Sequence, residues 1–110
     1  MKEERRFPRA DINTQYCLIG ERGTAKGKTK NISPVGVFVR TAQSMCVGDR
    51  VHINVHLPNY HGSVLSQAEV VWICANRESC GDPGMGLKWI DLNTSDVFRL
   101  DNFVRHCQEA

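Results

Sequence analysis

No run of this 110-residue chain approaches the ~20 consecutive apolar residues that a membrane-spanning helix needs. The charged opening, residues 1–9, has no apolar stretch of the kind found in a secretory leader. A cytoplasmic location without membrane insertion is therefore expected. The five cysteines, Cys17, Cys46, Cys74, Cys80 and Cys107, are odd in number and lack a Cys-x-x-Cys pair, so reduced thiols are expected rather than a disulfide framework or a zinc site. There is no Gly-x-Ser-x-Gly elbow and no glycine-rich loop ending in Gly-Lys-Ser/Thr, and the acids are scattered rather than paired. The chain is accordingly not expected to be an enzyme, and no catalytic residue or cofactor is assigned. An internal repeat, a low-complexity tract and a linker to a second domain are also missing, and the length suits one compact core.

What is present reads mainly as strand. In Arg50–Leu57 the apolar residues Val51, Ile53, Val55 and Leu57 alternate with polar ones, the pattern of a half-buried strand. Residues 16–19, 25–32, 35–41, 64–75 and 85–92 are the other strand candidates, punctuated by glycines and by the Gly81-Asp82-Pro83-Gly84 turn. Six short strands in about ninety residues favour a closed antiparallel barrel or a sandwich. The period then changes. Residues 93–96 offer helix-capping side chains, and Val97, Leu100, Val104 and Cys107 recur at helical spacing, which predicts a C-terminal helix packed on the strands.

His52 and His56 raise the question of a metal, because His-x-x-x-His is a zinc pattern on a helix. On a strand the two imidazoles share a face but stand roughly 13 Å apart, too far to hold one ion. No metal site is expected.

Charge is uneven although the formal net charge is only +2: residues 1–30 carry a balance of +4 and the remainder −2. The total is too small for a general DNA or RNA binder, yet the N-terminal end suits a small dianion. Two polar clusters sharpen this. Arg5-Arg6-Phe7-Pro8-Arg9 supplies closely spaced guanidinium forks that match phosphate oxygens and the O6/N7 edge of guanine. Asn31-Ile32-Ser33-Pro34-Val35-Gly36 supplies an amide and a hydroxyl able to bond a base edge or phosphate, with a glycine for close backbone approach or a positive φ.

In order, spacing and strand context these clusters resemble the PilZ domains, which bind the bacterial second messenger cyclic di-GMP. The resemblance rests on Arg5 and Arg9 of an Arg-x-x-x-Arg, and on Asn31, Ser33 and Gly36 of an Asp/Asn-x-Ser-x-x-Gly. Residues 84–92, reading GMGLKWIDL, look like the family's last barrel strand, with Trp89 where phenylalanine is commoner. The resemblance implies an all-β fold, a six-stranded antiparallel barrel with a C-terminal α-helix, in which residues 1–12 form a flexible arm and 13–110 the barrel domain. It also implies a cyclic di-GMP receptor that signals to an unidentified effector protein in control of motility, adhesion, biofilm or exopolysaccharide output. Asn31 replaces the commoner aspartate, and a neutral amide accepts less strongly from guanine N–H groups than a carboxylate does. The competing reading is an interaction adaptor that keeps the fold and needs no nucleotide.

Arg6 is a third candidate contact or a solvated neighbour. Trp72 either fills the core or forms a stacking wall for guanine, and the sequence leaves both open. Trp89, alternating with Met85 and Leu87, is expected in the core.

Overall fold

The computed structural model describes residues 11–42, 45–58, 62–75, 81 and 83–109. Six strands form a closed antiparallel barrel: β1 (Gln15–Gly20), β2 (Gly23–Ile32), β3 (Gly36–Arg40), β4 (Arg50–Leu57), β5 (Gly62–Cys74) and β6 (Gly84–Ile90). Around the barrel they run β1-β2-β3-β6-β5-β4, with β4 closing back on β1. One helix follows, α1 (Thr94–Glu109).

Strict alternation builds the interior. Val51, Ile53, Val55 and Leu57 of β4 are buried against Leu18, Val64, Ala68 and Val70, while the polar residues between them face outward. The helix closes one end. Asn93 Oδ1 accepts the Asp96 amide at 2.8 Å, satisfying one of the N–H groups a helix start leaves orphaned. One turn later Leu100, Phe103 and Val104 enter the core, and full burial of a side chain the size of Phe103 contributes roughly 2–3 kcal/mol. Phe98 is exposed on the far side of the helix.

The segment entering β1 is pinned by a buried threonine pair. Thr14 N–H donates to Thr29 Oγ1 at 3.0 Å, Thr29 Oγ1 donates to the Ile12 carbonyl at 2.7 Å, and Thr14 Oγ1 donates to the His56 carbonyl at 2.7 Å. Both hydroxyls are thereby satisfied in an apolar setting. The Ile12 amide in turn donates to Lys30 O, so the chain enters the barrel beside Asn31.

One expectation is corrected. Cys17, Cys46 and Cys107 are free, but Cys74, the last residue of β5, is disulfide-bonded. Its partner lies outside the described residues. A disulfide needs two Cα atoms within about 7 Å, a property of the fold that sequence spacing does not report.

Candidate functional site

Two β-bulges decide which way the site residues face. Between the pairs Thr29↔Val39 and Asn31↔Phe38, β2 carries one extra residue, Lys30. Between Val70↔Leu87 and Trp72↔Gly86, β5 carries one extra residue, Val71. Thr29 and Val70 are fully buried and point inward, so simple alternation would turn Asn31 and Trp72 inward as well. Each bulge shifts the phase by one and sends those residues to the outer wall.

The result is a single cross-strand row. Asn31 on β2 pairs with Phe38 on β3, Phe38 with Gly86 on β6, and Gly86 with Trp72 on β5. Phe38 and Trp72 stack with ring centroids 5.2 Å apart at an interplanar angle of 41°, a tilted pair worth about 0.5–1.5 kcal/mol beyond its burial. The indole lies over Gly86, where a Cβ would come within 2.5 Å of Trp72 Nε1. Phe38 is covered by this stack and by the Lys30 ammonium, 5.8 Å from its centroid, whereas Trp72 remains 47% exposed. With Val35 and Val71 as further apolar walls, the row lines a shallow groove of about 300 Å³. Lys88, the next outward residue on β6, stands exposed in register with Gly36. The Asn31 side chain makes no hydrogen bond to the described residues and borders the groove.

Ser33 and Gly36 build the turn between β2 and β3. Ser33 Oγ accepts the amides of Val35 and Gly36 at 3.1 and 3.2 Å, the Ser33 amide donates to Gly36 O at 2.9 Å, and Trp89 Nε1 donates to Ser33 O at 2.9 Å. Trp89 is buried in the core, as its alternation predicts, and reaches out to hold the turn from below. Gly36 does not take a positive φ. What it permits is contact between strands, since a Cβ there would lie 2.2 Å from the Leu87 carbonyl oxygen. Both residues line the groove that they shape.

Arg5, Arg6 and Arg9 lie outside the described residues. Of the other expected site residues, the structure brings Asn31, Ser33, Gly36 and Trp72 to one groove, and it adds Phe38 and Gly86, which sequence reasoning missed. Their only signal was position, each flanked by two core residues and hence outward on its strand. His52 and His56 both face outward from β4. Among the described residues no group of three or more His, Cys, Asp or Glu is placed to hold a metal ion, and no helix is long and apolar enough to cross a membrane. A larger concavity of about 730 Å³ lies outside β1, β2 and β4, across the barrel, and none of the expected residues line it.

A closed barrel with an Asn-x-Ser-x-x-Gly turn at the mouth of an outward groove defines a binding domain of one class. The PilZ domain family model matches residues 3–106, and the chain belongs to that family. Solved structures agree on the fold. The inhibitor of motility MotI/DgrA from Bacillus subtilis superposes with a TM-score of 0.85 at 21% identity, covering 98% of this chain, which spans 53% of that one. The PilZ domain of YcgR from Escherichia coli, solved with c-di-GMP, gives a TM-score of 0.72 at 15% identity, covering 97% of this chain and 93% of that one. The PilZ domain of CeSA from a cellulose-synthesizing bacterium gives 0.64 at 16% identity, covering 92% and 98%. No curated protein matches the chain.

Proposed function

We propose that this PilZ domain is a cyclic di-GMP receptor whose occupied groove signals to a partner protein. The observation that carries the reading is the row Asn31, Phe38, Gly86 and Trp72, which sets an unengaged amide at one end of an apolar strip and an exposed indole at the other. Guanine needs both, a polar edge contact and a flat face, and aromatic stacking contributes about 1–3 kcal/mol per base. The phosphates fall to the arginines. Arg9 precedes Ile12 by three residues, so covalent reach alone keeps its Cα within about 11 Å of a residue whose amide bonds Lys30 O next to Asn31.

On this reading Arg5, Arg6 and Arg9 close over the ligand from the N-terminal side while Asn31 holds the base and Ser33 and Gly36 keep the turn in shape. The arm expected over residues 1–12 orders on binding up to Ile12, whose amide is already bonded to Lys30 O, and the reshaped surface is the output. Control of motility, adhesion or polysaccharide secretion would then run through the partner, with the receptor in the cytoplasm. Calorimetric titration tests this. Cyclic di-GMP should bind at micromolar affinity or tighter, about −8 kcal/mol, and GMP far more weakly. A flat isotherm at millimolar cyclic di-GMP would reject the receptor reading in favour of a nucleotide-independent adaptor.

A further inference from the structure

β2 is longer than the neighbour that closes the barrel on it. Pairing with β3 starts at Thr29↔Val39, so residues 23–28 have β1 on one side and no strand among the described residues on the other. β3 ends at Arg40, whose carbonyl accepts a 2.7 Å hydrogen bond from Tyr16 Oη and would lie 3.5 Å from a Cβ on Gly27, so Arg40 stands beside Gly27 and the open part of the edge is 23–26. The direction of the free groups follows from the ladder. Thr29 N–H donates to Thr14 O at 2.8 Å, which makes Thr29 and Thr14 a hydrogen-bonded pair. Alternation along an antiparallel ladder then turns the N–H and C=O of Thr24 and Lys26 away from β1, toward the open side. The open edge, residues 23–26, is four residues long, about 13 Å.

Its two faces differ. Thr24, Lys26 and Lys28 stand on the outer face and are exposed, while the inner positions Gly23, Ala25 and Gly27 are small, with Ala25 packed against the rim of the core. The outer rows that continue from Thr24 and Lys26 across β1, β4 and β5 (Ile19, His52 and Gln67; Cys17, Asn54 and Leu65) contain no carboxylate to offset the lysines. An incoming strand therefore meets backbone donors and acceptors at Thr24 and Lys26, only the small residues Gly23 and Ala25 on the inner face beside them, and positive charge without a facing carboxylate on the outer face.

We propose that the free edge of β2 accepts an extended segment of a partner protein with alternating apolar and acidic residues, which adds a strand to the barrel. A second copy of this chain fits poorly. Antiparallel pairing centred on Lys26 sets Lys26 opposite Lys26 and Lys28 opposite Thr24 of the other copy, and like charges directly opposed are unfavourable. The lysines thus guard the edge against itself and select an acidic strand. The edge is built independently of the groove on β3 and β6, so it does not depend on the nucleotide reading.

The test is a titration of the isotope-labelled full chain with the capped peptide Val-Glu-Val-Glu-Val-Glu, with Val-Lys-Val-Lys-Val-Lys as control. Amide exchange at Thr24 and Lys26 should slow at least tenfold on saturation, and the acidic peptide should bind at least tenfold more tightly than the basic one. Lys26→Pro removes an N–H that the β1 ladder does not use and should abolish binding in a folded chain. The double variant Lys26→Glu with Lys28→Glu, which leaves the backbone alone, should reverse the preference between peptides. Unchanged exchange at Thr24 and Lys26 in millimolar peptide, equal affinity for both peptides, or protection of those amides by self-association without peptide would each overturn the proposal.

Discussion

Replacing Gly36 by alanine separates two meanings of the glycine that ends the Asn-x-Ser-x-x-Gly motif. In the structure a Cβ at this position would lie 2.2 Å from Leu87 O, 3.3 Å from Leu87 C and 3.4 Å from Lys88 Cα. The obstacle is backbone, which no rotamer change relieves, and the first distance falls about 1 Å inside an ordinary carbon–oxygen contact. β3 must draw away from β6 around Gly36↔Lys88 and Val37↔Leu87, stretching the hydrogen bonds that close the barrel. Overpacking of this kind costs roughly 2–4 kcal/mol, taking the upper part of the usual range because the contact is rigid. Urea unfolding followed by tryptophan fluorescence reads this directly. With a slope of about 1.5 kcal/mol/M for a domain of this size, the midpoint should fall by about 1–3 M. If the midpoint moved by less than about 0.3 M while nucleotide affinity collapsed, the glycine would serve ligand approach and the strand-contact argument would be wrong.

Trp72→Ala should weaken cyclic di-GMP binding by about 1–3 kcal/mol while the barrel still folds, measured by calorimetry and circular dichroism; unchanged affinity would remove the indole from the site. Arg9→Ala should cost a similar 1–3 kcal/mol in affinity with little change in melting temperature, and unaltered binding would leave Arg9 outside the site. Hydrogen exchange over residues 4–12, apart from the Ile12 amide already bonded to Lys30 O, should slow only when nucleotide is present; equal rates with and without it would refute ordering of the arm as the signal. Arg22 donates to Asp49 at 2.7 Å, and that bond, with the Cys46 amide, holds the Asp49 carboxyl below its ordinary value of 3.8. A group with a depressed folded-state pKa stabilises the fold above its unfolded value and loses that stabilisation as pH falls through the folded one. Asp49→Asn should therefore flatten part of the stability loss below about pH 3.8, and superimposable acid-unfolding curves for the two proteins would contradict this.

Much of the barrel was legible in the sequence because β4 obeys a period of two throughout and the other strands keep it over most of their length. Arg50–Leu57 matches its expected bounds, and the remaining strands differ from expectation by a few residues at their ends. The site was less legible for one physical reason. Lys30 and Val71 are bulge residues, and a bulge reverses the phase of everything after it, so Trp72 continues the inward series Ala68 and Val70 on paper yet faces out in the fold. Ser33 and Gly36 were found as motif residues, but the bond from Trp89 to Ser33 and the close approach of Gly36 to Leu87 depend on a strand some fifty residues away. Phe38 belongs to no motif, and Gly86 was read only as part of the last strand, residues 84–92. They enter the groove because the register of β3 against β6 sets them between Asn31 and Trp72.

The most direct test of the central claim is where cyclic di-GMP lands. In an amide-resolved NMR titration the Trp72 indole N–H and the backbone amides of Asn31, Phe38 and Gly86 should shift together and saturate at one equivalent per site. The larger concavity near Lys26, Lys28 and His56, on the opposite wall, should remain unperturbed. Shifts centred on β1 and β4, or none at all at saturating nucleotide, would contradict the assignment of the groove.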